Sequence, residues 1–399
     1  MLAGSTVAAP SNTQTSYSKL MTDSMIRRNV KPSYAYDQAT LYTSFEDMYE
    51  YTKNKTYYDF FRSQMDAAVL EDGTILGFNY TYYSLDHYRF GNNVLWWYQK
   101  TGEKKFKTAA DDIKKTLDHH PRTASGGLWH RDVVYPDQMW LDGIYMADNL
   151  YAKYTRLFQP NNATAWDDII LQYDKIEKVT RRSNNLLVHG FDESKHAVWA
   201  DPKTGAAPLI WARAVGWYFM SLLEAIETFP KDHPGRERLI AYFTSLAEGL
   251  KGAQDEKSGG WYNIMDERYK GVKGNYIEAS ASAMFTFGWL RGLNRGLLSA
   301  EDYSSVAAKA FEGLVKRFVT KNADGTINFE GTVEVGSLGS NATFQVRQRL
   351  LRPIPLQTDI DLFCVQYYSG IKTRQNDLRG AGAFMIAALE YERGLFSKD

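Results

Sequence analysis

The sequence predicts an all-α fold in which helix hairpins repeat around a closed ring. Three observations carry that prediction. Apolar residues recur at helical intervals along most of the chain, strand signals are confined to short loops, and a glycine-aromatic loop returns about every 60 to 70 residues. The loops are Gly126-Gly127-Leu128-Trp129-His130, His196-Ala197-Val198-Trp199-Ala200-Asp201, Gly259-Gly260-Trp261-Tyr262-Asn263 and Asp324-Gly325-Thr326-Ile327-Asn328-Phe329. Each interval holds two helices. Hairpins repeated this often build an open solenoid or a closed ring, and loops gathered at one end suit a ring with a central site.

In chain order, a polar Ser/Thr-rich lead precedes a helix from Tyr17 to Arg28. A helix pair over 42–70 follows, with Phe45, Met48, Tyr57, Phe61 and Met65 at helical spacing. A turn at Glu71-Asp72-Gly73-Thr74 opens an aromatic loop from Phe78 to Tyr88. Helices are expected at 92–99 and 105–117, broken at Thr101-Gly102-Glu103, then at 137–157, 164–182, 211–229, 235–254, 279–297, 301–320 and 380–395. No Pro, Gly or Ser linker divides the chain. It therefore reads as a lead with its first helix over 1–30, followed by one domain over 31–399.

Composition excludes several classes of function. The 399 residues carry 47 basic and 47 acidic side chains, so no electrostatic footprint for nucleic acid or an anionic membrane exists. No apolar run approaches the roughly 18 residues of a membrane span. Cys364 is the only cysteine, which rules out an internal disulfide or a cysteine zinc site. The seven histidines show no metal-binding spacing. The 10 Trp and 27 Tyr suit either a large core or a cleft that stacks on sugar rings. The small apolar stretch Leu2–Pro10 and the sequons at Asn54, Asn79, Asn162 and Asn341 lean toward an extracellular protein, with the cytoplasm as the alternative.

The chemistry centres on residues 126–149. A helix is expected from Pro136, since Pro is tolerated in a first helical turn. Gln138, Asp142, Tyr145 and Asn149 then share one face at i, i+4, i+7 and i+11. A carboxylate beside Trp140, Tyr145 and Met146 is costly unless paired or protonated, which makes Asp142 a candidate acid. Asp86, in Tyr83-Ser84-Leu85-Asp86-His87-Tyr88, is a second candidate or a helix cap. Arg213 and Trp217 are four apart, a pairing that can hold a carboxylate and stack a ring; the other reading is an Arg buried against an acid. His130 and His189 sit next to aromatics in separate loops, as site residues or as satisfied hydrogen-bonders. Serine-hydrolase elbows and nucleotide-binding glycine loops are absent.

Taken together, the motifs resemble the unsaturated rhamnogalacturonyl hydrolases, glycoside hydrolase family 105. They are Asp86-His87, Gly126 to His130, Tyr135 to Gly143, His189-Gly190, Trp211-Ala212-Arg213 with Trp217, Gly274 to Ser280 and Arg379-Gly380-Ala381-Gly382-Ala383-Phe384. The resemblance runs from about residue 40 to 393, and its most specific part is 126–146. It implies an (α/α)6 barrel, no metal or organic cofactor, and an oligosaccharide substrate ending in a 4,5-unsaturated uronic acid left by a lyase. It also implies protonation at C4, addition of water at C5 and rearrangement of the hemiketal. On this reading Asp142 is the general acid and base and Asp86 assists, while His189 and Arg213 line the uronate pocket with His130 and Trp217. Tyr88, Gln138 and Trp211, inside or beside the same motifs, complete the candidate substrate contacts. Protonating carbon needs a partly neutral carboxyl, so burial is expected to raise Asp142, against the pull of the nearby helix N-terminus.

Two other classes compete. A sugar 2-epimerase on the same ring needs paired histidines on facing helices, and a non-catalytic glycan-binding ring needs no acid at all. The loops at 261–276 and 331–358 are expected to set the leaving sugar, and the protein to act as a monomer or homodimer.

Overall fold

The structure is a computed structural model that describes residues 15–338 and 357–396. The apolar stretch at 2–10, the sequon Asn341 and most of the 331–358 loop lie outside the described residues. Six helices form an inner ring. They are α2 (Tyr36–Thr52), α5 (Phe90–Thr101), α7, α9 (Ala212–Thr228), α11 (Ala279–Asn294) and α14 (Leu378–Phe396). α7 begins at Leu141–Gly143, passes through a π-turn at Ile144–Asp148 and ends as Asn149–Phe158. Each inner helix packs on the next, and α14 closes the circle on α2.

Each inner helix has an outer partner: α3 (Lys55–Ala68), α6 (Lys104–Asp118), α8 (Ala163–Thr180), α10 (Pro234–Ala253) and α12 (Ala300–Phe318), in chain order. The sixth partner, for α14, is α1 (Tyr17–Arg27) from the other end of the chain. The first helix is thus part of the ring rather than a separate lead. Glu392 fastens it, accepting from the Ser18 N–H at 3.0 Å, Ser18 Oγ at 2.5 Å and Ser16 Oγ at 3.0 Å.

The two helix layers follow from composition. Outer helices are amphipathic: α6 buries Phe106, Ala109, Ala110, Ile113 and Leu117, exposes Lys104 and Lys115, and pairs its buried lysines, Lys105 with Asp66 and Glu71 and Lys114 with Asp118. Inner helices are buried on nearly every side, as in α9, where Ala212–Leu223 is buried without interruption. Glycine permits the closest crossing, since a Cβ on Gly288 would lie 2.2 Å from Phe219 Cε1. Aromatic and charged groups fill the lumen. Trp217 stacks on Tyr145 at 4.8 Å, and the Arg89 guanidinium lies 3.8 Å from the far face of Tyr145. Arg89 and Lys153 both pair with Glu224 at 2.9 Å; burial opposes its ionisation, but the two cations hold its carboxyl down to about 2.

The recurring loop is real, with one correction. Equivalent backbone bonds close tight turns at Leu70 N to Thr74 O, Thr123 N to Gly127 O, Arg182 N to Leu186 O, Asp255 N to Gly260 O and Asn322 N to Thr326 O. The turn that leads to His189 is therefore Arg182–Leu186; the loop at His196–Asp201 ends in a further turn, with Asp201 N donating to Ala206 O at 3.0 Å. The Arg182–Leu186 turn holds Asn184 and Asn185, with Asn185 at φ 64° taking the left-handed conformation that Gly126 and Gly259 supply elsewhere. Asn replaced the glycine on which the periodicity depended.

Three sequon asparagines have local structural work. Asn54 and Asn162 cap α3 and α8 through bonds to Thr56 N at 2.9 Å and Ala165 N at 3.1 Å, and Asn79 Oδ1 accepts from Thr81 N at 2.9 Å. No helix among the described residues is long and apolar enough to cross a membrane. Cys364 is buried, as its apolar neighbours suggested. Removing the α1 clamp with Glu392→Ala is expected to cost about 2 kcal/mol, because hydrogen bonds to a charged group are lost. Urea unfolding measures this, and an unchanged midpoint would refute the clamp.

Candidate active site

The mouth of the ring is built by three equivalent backbone bonds. Leu85 N donates to His130 O at 3.1 Å, Leu141 N to His189 O at 3.0 Å and Ala212 N to Asn263 O at 3.0 Å. Each donor opens a helix: the short α4 (Leu85–Tyr88), α7 and α9. Each acceptor lies three residues past the tight turn of the following repeat. The residue after each donor is Asp86, Asp142 and Arg213 respectively, so these three occupy one position of successive repeats. Arg379, second in α14, matches them.

Around Asp142 the backbone is a strand, not the expected helix. β1 (Gln138–Trp140) pairs antiparallel with β2 (Gly190–Asp192), with Trp140 opposite Gly190. A Cβ at Gly190 would lie 2.5 Å from Met139 O, so the strands approach only because glycine is there. His130 N also donates to Gln138 O at 2.7 Å, and Asp137 sits at φ 58°. These bonds hold 138–140 extended and delay α7 to Leu141. Gln138 is consequently off the Asp142 face, and Asp142 stands in a first helical turn.

Asp86, Asp142, His130, Arg131, Arg213 and Arg379 line one cleft of about 220 Å³, with Trp140, Trp211 and Trp217 among its walls. Asp142 Oδ2 accepts from His189 Nε2 at 3.0 Å, and His189 Nδ1 meets Tyr368 Oη at 2.7 Å. Asp86 Oδ2 accepts from Arg131 Nη2 at 2.6 Å, with His130 Nε2 3.8 Å from its other oxygen. That ion pair, rather than helix capping, accounts for Asp86. His130 lies flat on Trp140 with ring centres 4.2 Å apart.

Electrostatics here decide a balance that the sequence left open. Burial pushes Asp142 up, but His189, which donates to it, and His130 outweigh burial and hold the carboxyl below its ordinary value. His130 is lowered, chiefly by burial, despite Asp86 and Asp142. Arg213 is lowered by burial and by the neighbouring Arg379. Among the described residues no carboxylate pairs with Arg213. Its Nη2 donates to the carbonyls of Val333 and Glu334, and its buried Nε has no partner. Its aromatic neighbour is Trp211, with the guanidinium 5.8 Å from that ring. Arg379, by contrast, is raised: burial opposes its charge, but bonds to Asp377 and Tyr36 outweigh it.

Several candidates sit elsewhere. Tyr88 is buried, its hydroxyl 2.9 Å from His120 Nδ1, and it does not line the cleft. Gln138 accepts from Trp140 Nε1 at 3.0 Å and so orients a wall residue instead of facing the cleft. His189 is fully enclosed behind Asp142. Trp211 and Trp217 do line the cleft; Trp211 Nε1 is fixed by Asn263 Oδ1 at 3.0 Å. Arg131, Arg379, Tyr36 and Tyr135 were missed. Arg131 follows His130 directly, and Arg379 begins a quoted motif. Tyr36 and Tyr368 carried no local signal.

A larger hollow of about 1120 Å³ lies at the opposite end of the ring, by the connections after α7 and α9, far from both carboxylates. Among the described residues no group of three or more His, Cys, Asp or Glu is placed to hold a metal.

A closed ring of helix hairpins around a cleft with two carboxylates and stacking aromatics defines a carbohydrate-active hydrolase of the (α/α)6 class. The chain belongs to Glycosyl Hydrolase Family 88, whose model matches residues 11–395. It is similar to a family 105 glycoside hydrolase of C. acetobutylicum ATCC 824, with 35% identity, coverage of 95% of this chain and 100% of the other, and a TM-score of 0.86. It is 25% identical over 269 residues to the unsaturated rhamnogalacturonyl hydrolase YesR of Bacillus subtilis, covering 65% of this chain and 72% of the relative. The fold also matches the unsaturated glucuronyl hydrolase of Bacillus sp. GL1, at 14% identity, a TM-score of 0.64, and coverage of 94% and 95%. The protein is thus an enzyme that hydrolyses glycosidic bonds.

Gly143 separates the two carboxylate helices. A Cβ there would lie 2.7 Å from Leu85 Cδ1 and 3.3 Å from His130 Nδ1. Gly143→Ala is expected to destabilise by about 1–3 kcal/mol through overpacking. Denaturant unfolding tests it, and a stabilised variant would contradict the packing described.

Proposed function

We propose that the enzyme removes a 4,5-unsaturated uronic acid from the non-reducing end of lyase-generated oligosaccharides. The observation that carries this is Arg213, a buried guanidinium in the cleft wall that has, among the described residues, no carboxylate partner and an unpartnered Nε. Such a group calls for an anion, and a uronate supplies one by charge-assisted hydrogen bonds. Arg379 and Arg131 are already paired with Asp377 and Asp86 and contribute field rather than a vacant partner.

In the proposed reaction Asp142 donates its proton to C4 of the enol ether. Water adds at C5 and gives its proton to the Asp142 carboxylate, which regenerates the acid. The hemiketal then opens and releases the next sugar. Asp86, held by Arg131, assists in orienting the water, and Trp211 and Trp217 flank the sugar ring. The leaving sugar we infer is rhamnose from a pectic polymer, on the strength of the rhamnogalacturonyl relative. The epimerase reading has less support, because His130 and His189 lie on loops and His189 is bonded on both nitrogens.

Asp142 is held low in the free enzyme, yet the reaction needs it protonated. The substrate resolves this, since it displaces water and adds its own carboxylate, and both effects raise Asp142. The alkaline limb of kcat/KM, which reports the free enzyme, is therefore expected at lower pH than that of kcat. Coincident limbs would refute the coupling.

The direct test is incubation with unsaturated galacturonyl-rhamnose and unsaturated glucuronyl disaccharides, following loss of enol-ether absorbance. Turnover is expected, faster on the galacturonyl substrate, and Asp142→Asn should lower kcat at least about 10²-fold. No absorbance change with either substrate would sink the reading.

A further inference from the structure

Behind Asp142 lies a chain of groups that the proposed reaction does not itself use. Tyr368 is on α13 (Gln357–Gly370) and is fully buried against Trp211, with ring centres 5.4 Å apart. Asn263 Nδ2 donates to its carbonyl at 2.9 Å. Asn263 also holds the Trp211 indole, so one side chain fixes both stacked rings. The Tyr368 hydroxyl reaches only His189 Nδ1 among the described residues, at 2.7 Å. His189 has no exposure to solvent, and its Nε2 faces Asp142 Oδ2 at 3.0 Å.

This geometry leaves one arrangement of protons. A buried hydroxyl with a single partner must donate to it, because its proton otherwise has no acceptor. Nδ1 therefore accepts, and the imidazole proton resides on Nε2, where the Asp142 carboxylate accepts it. Donation into Nδ1 also polarises the ring and strengthens the Nε2–H bond to the carboxylate.

We propose, resting on the hydration reaction above, that Tyr368 is a positioning residue. Its hydroxyl locks His189 in the Nε2–H tautomer, commits Asp142 Oδ2 to His189, and leaves Oδ1 to exchange the catalytic proton with substrate. Without the hydroxyl, Nδ1 is a buried acceptor with no donor, and the Nε2–H bond to Asp142 loses the polarisation that this donation supplies. The remaining groups that face this pair are few. His130 lies toward Asp142 from the neighbouring loop, with Asp86 and Arg131 beyond it. Cys364 and Tyr367 lie toward Tyr368 from its own helix. None of them meets His189 Nδ1 within hydrogen-bond distance among the described residues.

The variant is Tyr368→Phe, which keeps the ring and its stack. Asp142 would lose part of its strongest hydrogen bond while its burial stays the same. The alkaline limb of kcat/KM should therefore move to higher pH, by about half a unit or more, with kcat reduced and KM nearly unchanged. A purely structural role would lower the melting temperature and leave that limb in place, which would overturn the proposal. In a His189→Gln background the same substitution should add no further shift, since its effect passes through the imidazole. An additional shift of equal size would also overturn it.

A second readout needs neither substrate nor turnover. Imidazole 15N shifts of the free protein should give His189 with Nε2 protonated and Nδ1 bare but hydrogen-bonded, and in Tyr368→Phe the Nδ1 shift should move toward that of an unbonded imidazole nitrogen. A wild-type His189 protonated on Nδ1 alone would refute the tautomer directly. Absence of turnover on both disaccharides would instead defeat the proposed reaction and leave the tautomer measurement standing.

Discussion

Three backbone hydrogen bonds, from Leu85, Leu141 and Ala212 to the carbonyls of His130, His189 and Asn263, hold the working end of this ring together. Each joins the start of a helix, α4, α7 or α9, to the loop of the next repeat. The bonds are local in geometry and distant in sequence, so they set the height at which each helix begins. The second residue of each helix is thereby raised to the rim. Asp86, Asp142 and Arg213 face one cleft because one structural rule was applied three times. Arg379 at the start of α14 extends the rule to the helix that closes the ring.

The cleft's electrostatics follow from that placement. Two carboxylates and three guanidinium groups share a space of about 220 Å³; Asp86 and Arg131 pair within it, while His189, Asp377 and the carbonyls of Val333 and Glu334 hold the others from behind its wall. Asp86 is neutralised by Arg131, and Asp377 by Arg379. Asp142 has an imidazole behind it, and Arg213 has two carbonyls. Among the described residues the charge without an oppositely charged partner is positive and lies at Arg213, while His189 and His130 hold the Asp142 carboxyl below its ordinary value. Below the cleft, Trp217, Tyr145 and Arg89 form a stacked floor over the Glu224 ion pairs.

Much of the site was legible in the residues, and the misreadings have definite causes. Helical spacing located the long helices to within a few residues, because apolar periodicity is a local property. It failed at 137–140, where Pro136 and a carboxylate resemble a helix start. Pairing with Gly190–Asp192, some fifty residues on, holds that segment extended. Tyr88 and Gln138 were read as substrate contacts because they neighbour real site residues. Their side chains turn instead to His120 and Trp140, a direction that proximity in sequence does not reveal. The sign of the Asp142 shift was open for the same reason, since it depends on how close His189 comes.

By itself the sequence determined the class of fold, the repeat, the identity of both cleft carboxylates and the Arg213 position. These are carried by periodicity, composition and short motifs, all readable over a few turns of chain. Only the tertiary structure decided which groups meet. Closure brings α1 onto α14 and Tyr368 onto His189, 179 residues apart. It also puts Arg379 beside Arg213 and leaves Arg213 without a carboxylate partner among the described residues. Those contacts arise from packing across the ring, where burial and hydrogen-bond geometry act between segments that share no local pattern.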